Sequence, residues 1–323
     1  MQYRYLEKTN IQVSRLCLGA MMFGGQTSEA DGLSIMDYAF EKGINFFDTA
    51  NNYNQGESER IVGKGIKKRR DRIILATKVF NKSGDDINDC GLSRRNIKRA
   101  LDASLKRLNT DYIDIYYMHS VDYRTDIEES LEAMMDLIRA GKIHNIGVSN
   151  CASWQIADML AVCDKRNYSA PVITQNVYNP LTRSLEAELI PFARAHKISI
   201  AIYNPIAGGL LTGKHKQGKP KKDTRFSNSE MYYNRYWIPE NFAAVEKLSK
   251  LAEQNGLSLI EMTMKWCATR PEITSIIIGT SRLSQMKQNV SLLDGEDLSK
   301  EVLEGIDKVW RELPLGTRFA YNR

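Results

Sequence analysis

Hydrophobic positions along the chain fall into two alternating kinds of segment. Short apolar runs, rich in β-branched and aromatic residues, stand at Leu16–Ala20, Asn45–Ala50, Ile73–Val79, Tyr112–His119, Ile146–Asn150, Val172–Tyr178, Ile198–Asn204 and Ile273–Gly279. Most lack the polar alternation of a half-exposed strand, which predicts parallel strands covered on both faces. Between them lie longer segments with apolar residues at helical spacing. Ile97, Ala100, Leu101, Ser104, Leu105 and Leu108 keep one face inward after Ser93, a residue suited to cap a helix. Leu131, Met134, Met135 and Ile138 repeat the stripe, and Gly141 stands where that helix should stop. Leu303, Ile306 and Trp310 form a final stripe. Eight strand-then-helix units predict an α/β fold, a closed (β/α)8 barrel forming one domain over residues 1–323.

Two segments break the rhythm. Residues 1–15 carry two short polar-apolar strands around Thr9 and Asn10, read as a hairpin closing the bottom of the barrel. Residues 205–240 form a connection far longer than usual, and such loops are functional or mobile as a rule.

Composition narrows the class rather than the function. With 42% hydrophobic and 26% charged residues in 323, the chain reads as an ordinary globular protein, not a disordered or fibrous one. Forty-five basic against 39 acidic residues leave +6, which suits a small anionic ligand and is too weak to point to nucleic acid. The five cysteines are scattered, with no CxxC and no Cys/His spacing for zinc, so reduced thiols and no metal are expected. MQYRYLEKTN has no apolar leader run and no stretch reaches membrane-span length, so a cytoplasmic protein without membrane contact is expected.

In a (β/α)8 barrel the working residues sit at the C-terminal strand ends. Those ends hold Asp48 with Tyr53 just beyond, Lys78, His119, Ser149 with Asn150, Gln175, and Tyr203 with Asn204. Each has a plain structural reading, as an ion pair, a core ring or a hydrogen-bonded histidine. Convergence of acid, tyrosine, lysine and histidine on one mouth favours a site, because Lys and Asp are costly to bury without purpose.

GINFFDTANNYNQGESERIVG (43–63), IILATKV (73–79), IDIYYMHSVD (113–122), GKIHNIGVSN (141–150), TQNVYN (174–179), YNPIAGGLLTGK (203–214) and PEITSIIIGTSRLSQMKQN (271–289) together resemble the aldo-keto reductase superfamily. The likeness runs collinearly through nearly the whole chain, in the bacterial-type branch that also resembles potassium-channel β subunits. It implies a catalytic tetrad of Asp48, Tyr53, Lys78 and His119. Reducing a carbonyl by hydride leaves an alkoxide, so a proton must arrive at oxygen. Tyrosine is a weak acid, with an unperturbed pKa of about 10, and Lys78 is expected to lower it while Asp48 holds Lys78. His119 is expected to donate to the carbonyl oxygen or relay the proton.

No GxGxxG follows any strand, so a Rossmann mode is not supported. The resemblance implies instead an extended nicotinamide cofactor across the barrel mouth. Ser149, Asn150 and Gln175 match the carboxamide site and Tyr203 the ring on which the nicotinamide stacks. Gly19, Ala20, Met21 and Asp48 are also candidate cofactor-binding residues. Ile206, Gly208, Leu210 and Lys214 match the loop that cradles the pyrophosphate, and Asn204, Pro205, Ala207 and Arg225 are further cofactor-binding candidates. Gly279, Ser281, Arg282, Gln285, Gln288 and Asn289 match the adenosine and 2′-phosphate end, where an Arg at a helix start favours NADPH over NADH. Met21, Met22, Tyr53 and His119 are expected to line the substrate pocket. Three positions depart from the family pattern: Asn54 stands for the usual Gly, Asn204-Pro205-Ile206 for Ser-Pro-Leu, and Gln288 for Glu.

The basic run Lys214–Lys222 leads into Arg225, Phe226, Tyr232, Tyr233, Tyr236 and Trp237, an interleaving that can bind single strands. A loop folding over cofactor phosphates is the favoured reading, with its aromatics as candidate pocket lining and no nucleic-acid partner. The activity expected is NADPH-dependent reduction of aldehydes or ketones, aryl or sugar-like carbonyls among them, with Tyr53 as proton donor. Two alternatives stay open: a cofactor-sensing binding subunit with little turnover, and a Schiff-base lyase using Lys78. A chain starting some fifteen residues before the first barrel strand has no long arm for plugging a pore, which weighs against the binding subunit.

Overall fold

The computed structural model describes residues 1–222 and 224–314. Eight parallel strands close into a barrel: β3 (Leu16–Gly19), β4 (Phe46–Asp48), β5 (Ile74–Val79), β6 (Ile113–Met118), β7 (Ile143–Ser149), β8 (Ile173–Val177), β9 (Ser199–Tyr203) and β10 (Ile273–Gly279). Pairing of Ile276 with Leu16 and of Gly279 with Gly19 joins the last strand to the first. All eight predicted runs are barrel strands. The fifth barrel strand, β7, begins three residues earlier than the apolar run because His144 and Asn145 interrupt it. Those residues belong to the strand's first half, where His144 is exposed and its ring stacks on Tyr112 at 4.7 Å.

Before the barrel, β1 (Tyr3–Tyr5) and β2 (Gln12–Ser14) pair antiparallel as the predicted hairpin. Leu6 and Val13 from this unit are fully buried against Cys17, Phe46, Ile115 and Ala201 from the barrel interior. The second core lies between sheet and helices, which is why the strands read as continuously apolar.

Local signals account for the helix ends. Ser93 Oγ accepts from the Asn96 amide at the start of the helix Arg94–Leu108. Gly141 follows the helix Ile127–Arg139 at φ +66°, a conformation that costs glycine little. In the helix Lys300–Glu312 the fully buried side chains are Val302 and Ile306, with Leu303 and Trp310 half-buried beside them. The predicted stripe therefore lay one position off centre.

The long connection after β9 is not a structureless loop. It holds a 3-10 segment, Ala207–Thr212, and two short helices, Arg225–Asn228 and Glu230–Tyr236. Ala207, Gly208 and Gly209 take positive φ in succession, and a Cβ on Gly208 would lie 2.8 Å from the Tyr232 ring. Phe226 and Trp237 are buried against His215 and Tyr236 is buried beside Tyr232, so three of the aromatics are core and only Tyr232 of the set reaches the cleft described below. Among the described residues no helix is long and apolar enough to cross a membrane.

Candidate active site

A cleft of about 490 Å³ opens at the C-terminal ends of the strands. Parallel register decides which side chains meet there: Gly19 pairs with Asp48, Asp48 with Ala76, and Ser149 with Gln175, so residues far apart in sequence share one layer. Asp48, Tyr53, His119, Ser149, Asn150, Gln175 and Tyr203 all line it. A larger and more open hollow, about 670 Å³ between Ile190, Arg194 and Arg270, contains none of them.

Lys78 is fully buried below the cleft floor. Its Nζ donates to Asp48 Oδ1 and, at 2.7 Å, to the backbone oxygen of Thr49. Asp48 Oδ2 accepts from Gln175 Nε2 at 2.9 Å, so both carboxylate oxygens are engaged. Two of the ammonium's donors and both carboxylate oxygens thus have partners, a condition for burying such a pair without heavy loss. The Lys78 Nζ lies 5.1 Å from the centre of the Tyr53 ring.

Tyr53 and His119 are half-buried, edge to face with ring centres 5.9 Å apart. Burial, and after it the Asp48 carboxylate, pushes the Tyr53 hydroxyl well above the usual tyrosine range. The net direction is therefore upward, set by burial, and not the lowering expected from Lys78, whose ammonium is directed at Asp48 and Thr49. Burial, reinforced by the Lys78 charge, lowers His119 to about 3. The imidazole is therefore neutral at physiological pH, which favours a hydrogen-bonding role over a proton relay.

Asn54 explains one departure in the motif. It sits at φ +47°, ψ 47°, a left-handed conformation that glycine adopts freely and asparagine tolerates better than most residues. Its amide also donates to the backbone oxygens of Met21 at 2.9 Å and Phe23 at 2.8 Å, tying the Tyr53 turn to the loop after β3. Asn204, at φ +56°, plays a comparable part after β9. Its Oδ1 accepts from the Tyr232 hydroxyl at 3.1 Å and its backbone oxygen from Asn179 at 3.0 Å.

The Asn204 Nδ2 is buried with no partner among the described residues, and Thr280 Oγ1, next to Gly279, is likewise unpaired. Asn204 lines the cleft, and its unpaired donor beside Ser149, Asn150 and Gln175 suits an oxygen-rich ligand. A nicotinamide cofactor fits this donor set. Ser149, Asn150 and Gln175 offer amide-sized polar groups, with Tyr203 held by its hydroxyl to Asn150 Oδ1 at 2.7 Å.

The family model for the aldo/keto reductases matches residues 15–311. The chain belongs to the aldo/keto reductase family. Relatives include an uncharacterised oxidoreductase of Bacillus subtilis, YrpG, 37% identical over 96% of each chain. A probable voltage-gated potassium channel subunit beta of Arabidopsis thaliana is 35% identical, covering 97% of this chain and 98% of its own. The aflatoxin B1 aldehyde reductase member 2 of Rattus norvegicus is 32% identical over 91% of this chain and 83% of its own. Membership makes this an oxidoreductase fold whose family works with nicotinamide cofactors.

Within that family frame, other expected residues stand further out. Ser281, Arg282 and Gln285 lie at the start of the helix Leu283–Ser291, where Gln285 Oε1 accepts from the Ser281 amide at 2.9 Å. Arg282 is exposed, and no carboxylate pairs with it among the described residues. Gln288 and Asn289 follow on the same helix. Ala207 and Leu210 turn their side chains into the core, so they offer a ligand backbone only. Ala20, Pro205, Ile206, Gly208 and Lys214 also lie off the central cleft. Met22 does line it, and its Sδ accepts from Arg225 Nη2 at 3.2 Å, joining the long connection to the loop after β3.

Sequence reasoning missed several cleft residues: Phe80, Asn81, Tyr123, Met231 and Arg235. Phe80, Asn81 and Tyr123 follow the ends of β5 and β6, their only sequence signal, whereas Met231 and Arg235 come from the helix Glu230–Tyr236, far from any strand end, and carry none.

Proposed function

We propose that the chain reduces aldehydes or ketones to alcohols, using NADPH in preference to NADH, with Tyr53 as proton donor. The observation that carries this is the edge-to-face approach of Tyr53 and His119 at the cleft, ring centres 5.9 Å apart, above the buried Asp48–Lys78 pair. When bound, a reduced nicotinamide would supply hydride to a carbonyl carbon. The carbonyl π electrons go to oxygen, which takes the Tyr53 proton while the tyrosine O–H pair stays as phenolate. His119 donates a hydrogen bond to that oxygen as charge develops. Lys78 stabilises the transient phenolate through space, and Asp48 orients Lys78. Ser149, Asn150 and Gln175 hold the carboxamide, Tyr203 backs the ring, and Arg282 meets the 2′-phosphate.

Residues 15–311 taken up by a single family match support one catalytic domain. A small-molecule carbonyl as partner, no nucleic acid and a cytoplasmic setting belong to the same reading. Burial of Phe226, Tyr236 and Trp237 supports it, because covered rings cannot stack on bases. The lyase alternative is disfavoured by Lys78 itself, whose amine is committed to Asp48 and Thr49. The named channel subunit among the relatives keeps a cofactor-sensing role as the second reading.

The test is a titration of tryptophan fluorescence with NADPH and NADH, followed by oxidation of the preferred cofactor with aryl and sugar-like aldehydes. Turnover supports the reductase. Tight binding with no turnover on any carbonyl would favour the sensing subunit, and no binding at all would remove both.

A further inference from the structure

His119 stands just past the end of β6, and its backbone and its ring are each held by a residue outside the tetrad. Asn150 Nδ2, from β7's C-terminal end, donates to the His119 backbone oxygen at 3.0 Å. Asn81, two residues beyond β5, places its Nδ2 at 3.2 Å from His119 Nδ1. The segment carrying Asn81 is itself anchored, since the Gly91 amide donates to Phe80 oxygen at 2.7 Å and Ser83 Oγ to Asn51 oxygen at 3.0 Å. A neutral imidazole has one donor and one acceptor nitrogen, and the partner of one nitrogen sets the role of the other.

We propose that Asn81 is a positioning residue which fixes the His119 tautomer with its proton on Nε2, so that the ring presents a donor to the carbonyl oxygen. The inference rests on the reading in which His119 meets that oxygen. An amide NH2 facing Nδ1 requires Nδ1 to accept, which leaves Nε2–H as the donor. The same contact opposes double protonation, because an imidazolium has no acceptor nitrogen for Asn81. The other groups around the ring act in the same direction or are neutral: Lys78 is a cation on β5, and Tyr53 is a protonated phenol in the turn after β4. With the opposite tautomer, Nε2 would offer a lone pair to an oxygen gaining negative charge, which is repulsive.

The experiment is nitrogen-15 NMR of the histidine side chains in the full chain, with and without NADPH. Its four histidines are assigned with the help of His119→Gln. The Nε2–H tautomer is expected for His119 from pH 5 to 9. Asn81→Asp, nearly isosteric, replaces the donor with a carboxylate that accepts from Nδ1–H. It should switch the tautomer or raise the histidine's pKa, and lower kcat by about 100-fold with NADPH affinity unchanged. Asn81→Ser, whose hydroxyl is shorter and can either donate or accept, should leave the tautomer unfixed and lower kcat less than Asn81→Asp. An Nδ1–H tautomer in the wild type overturns the proposal, as does an Asn81→Asp protein whose tautomer and pH profile are unchanged. Full turnover in His119→Gln alongside the expected tautomer would instead remove His119 from the chemistry and leave the Asn81 contact standing.

Discussion

Lys78 lies 5.1 Å from the centre of the Tyr53 ring, yet it spends its hydrogen bonds on Asp48 and the Thr49 backbone. Lysine and tyrosine are thus neighbours whose contact is electrostatic. The phenol keeps its proton until an acceptor draws it off, and the ammonium is in place to meet the charge left behind. Tyr53→Phe removes the proton and nothing else of that arrangement. Carbonyl reduction should fall by a factor of about 100 to 10,000, while fluorescence titration still shows cofactor binding. Retained turnover would take the proton-donor role from Tyr53.

The Asp48–Lys78 pair also makes a prediction about stability. Lys78→Met leaves Asp48 buried with one partner lost, and removal of one member of a buried pair costs about 3–5 kcal/mol. The double variant Asp48→Asn/Lys78→Met should lose less than the two single costs added together. Urea denaturation of the four proteins measures the coupling, and additive losses would show that the pair does not act as a unit.

His119 links acid and stability. Its folded-state pKa, about 3, lies below the 6.5 of an unperturbed histidine, so the unfolded chain binds the proton more readily. Stability from this residue is complete above pH 6.5 and is lost as pH falls toward 3. Between those values the slope is at most about 1.4 kcal/mol per pH unit. Replacing His119 with Gln should flatten the acid limb of stability against pH by up to that amount. Parallel limbs in the two proteins would place the histidine pKa near its ordinary value.

Asn54 separates backbone conformation from hydrogen bonding. Asn54→Gly keeps the left-handed turn and loses the bonds to Met21 and Phe23, whereas Asn54→Ala loses both. The alanine variant should be less stable than the glycine variant by roughly 1 kcal/mol. Thermal or urea unfolding decides the order, and equal stabilities would mean that the turn relaxes without strain.

Arg282 addresses cofactor choice. Arg282→Ala should weaken NADPH binding by tenfold or more, in line with the roughly 1.5–3 kcal/mol of a charged hydrogen bond, and leave NADH nearly unchanged. Equal losses for both cofactors would move the 2′-phosphate elsewhere.

Periodicity alone settled the architecture. Each barrel strand is covered on both faces and each helix on one, so the alternation of apolar runs and stripes is written directly into residue order. Asp48, Tyr53, Lys78 and His119 were legible for the same reason, since strand ends in this fold converge. The chemistry between them was not. Whether Tyr53 holds its proton depends on desolvation and on the direction of the Lys78 ammonium, and whether His119 is neutral depends on burial beside Lys78. Asn81 and Arg235 entered the cleft through a loop and a short helix whose path is set by packing, not by pattern. The aromatics after the basic run became core because Phe226, Tyr236 and Trp237 found partners in His215, Tyr232 and Phe242. Residue order determines which side chains can face inward; only the closed barrel decides which distant ones meet there, because burial and pairing energies depend on neighbours that sequence separation does not reveal.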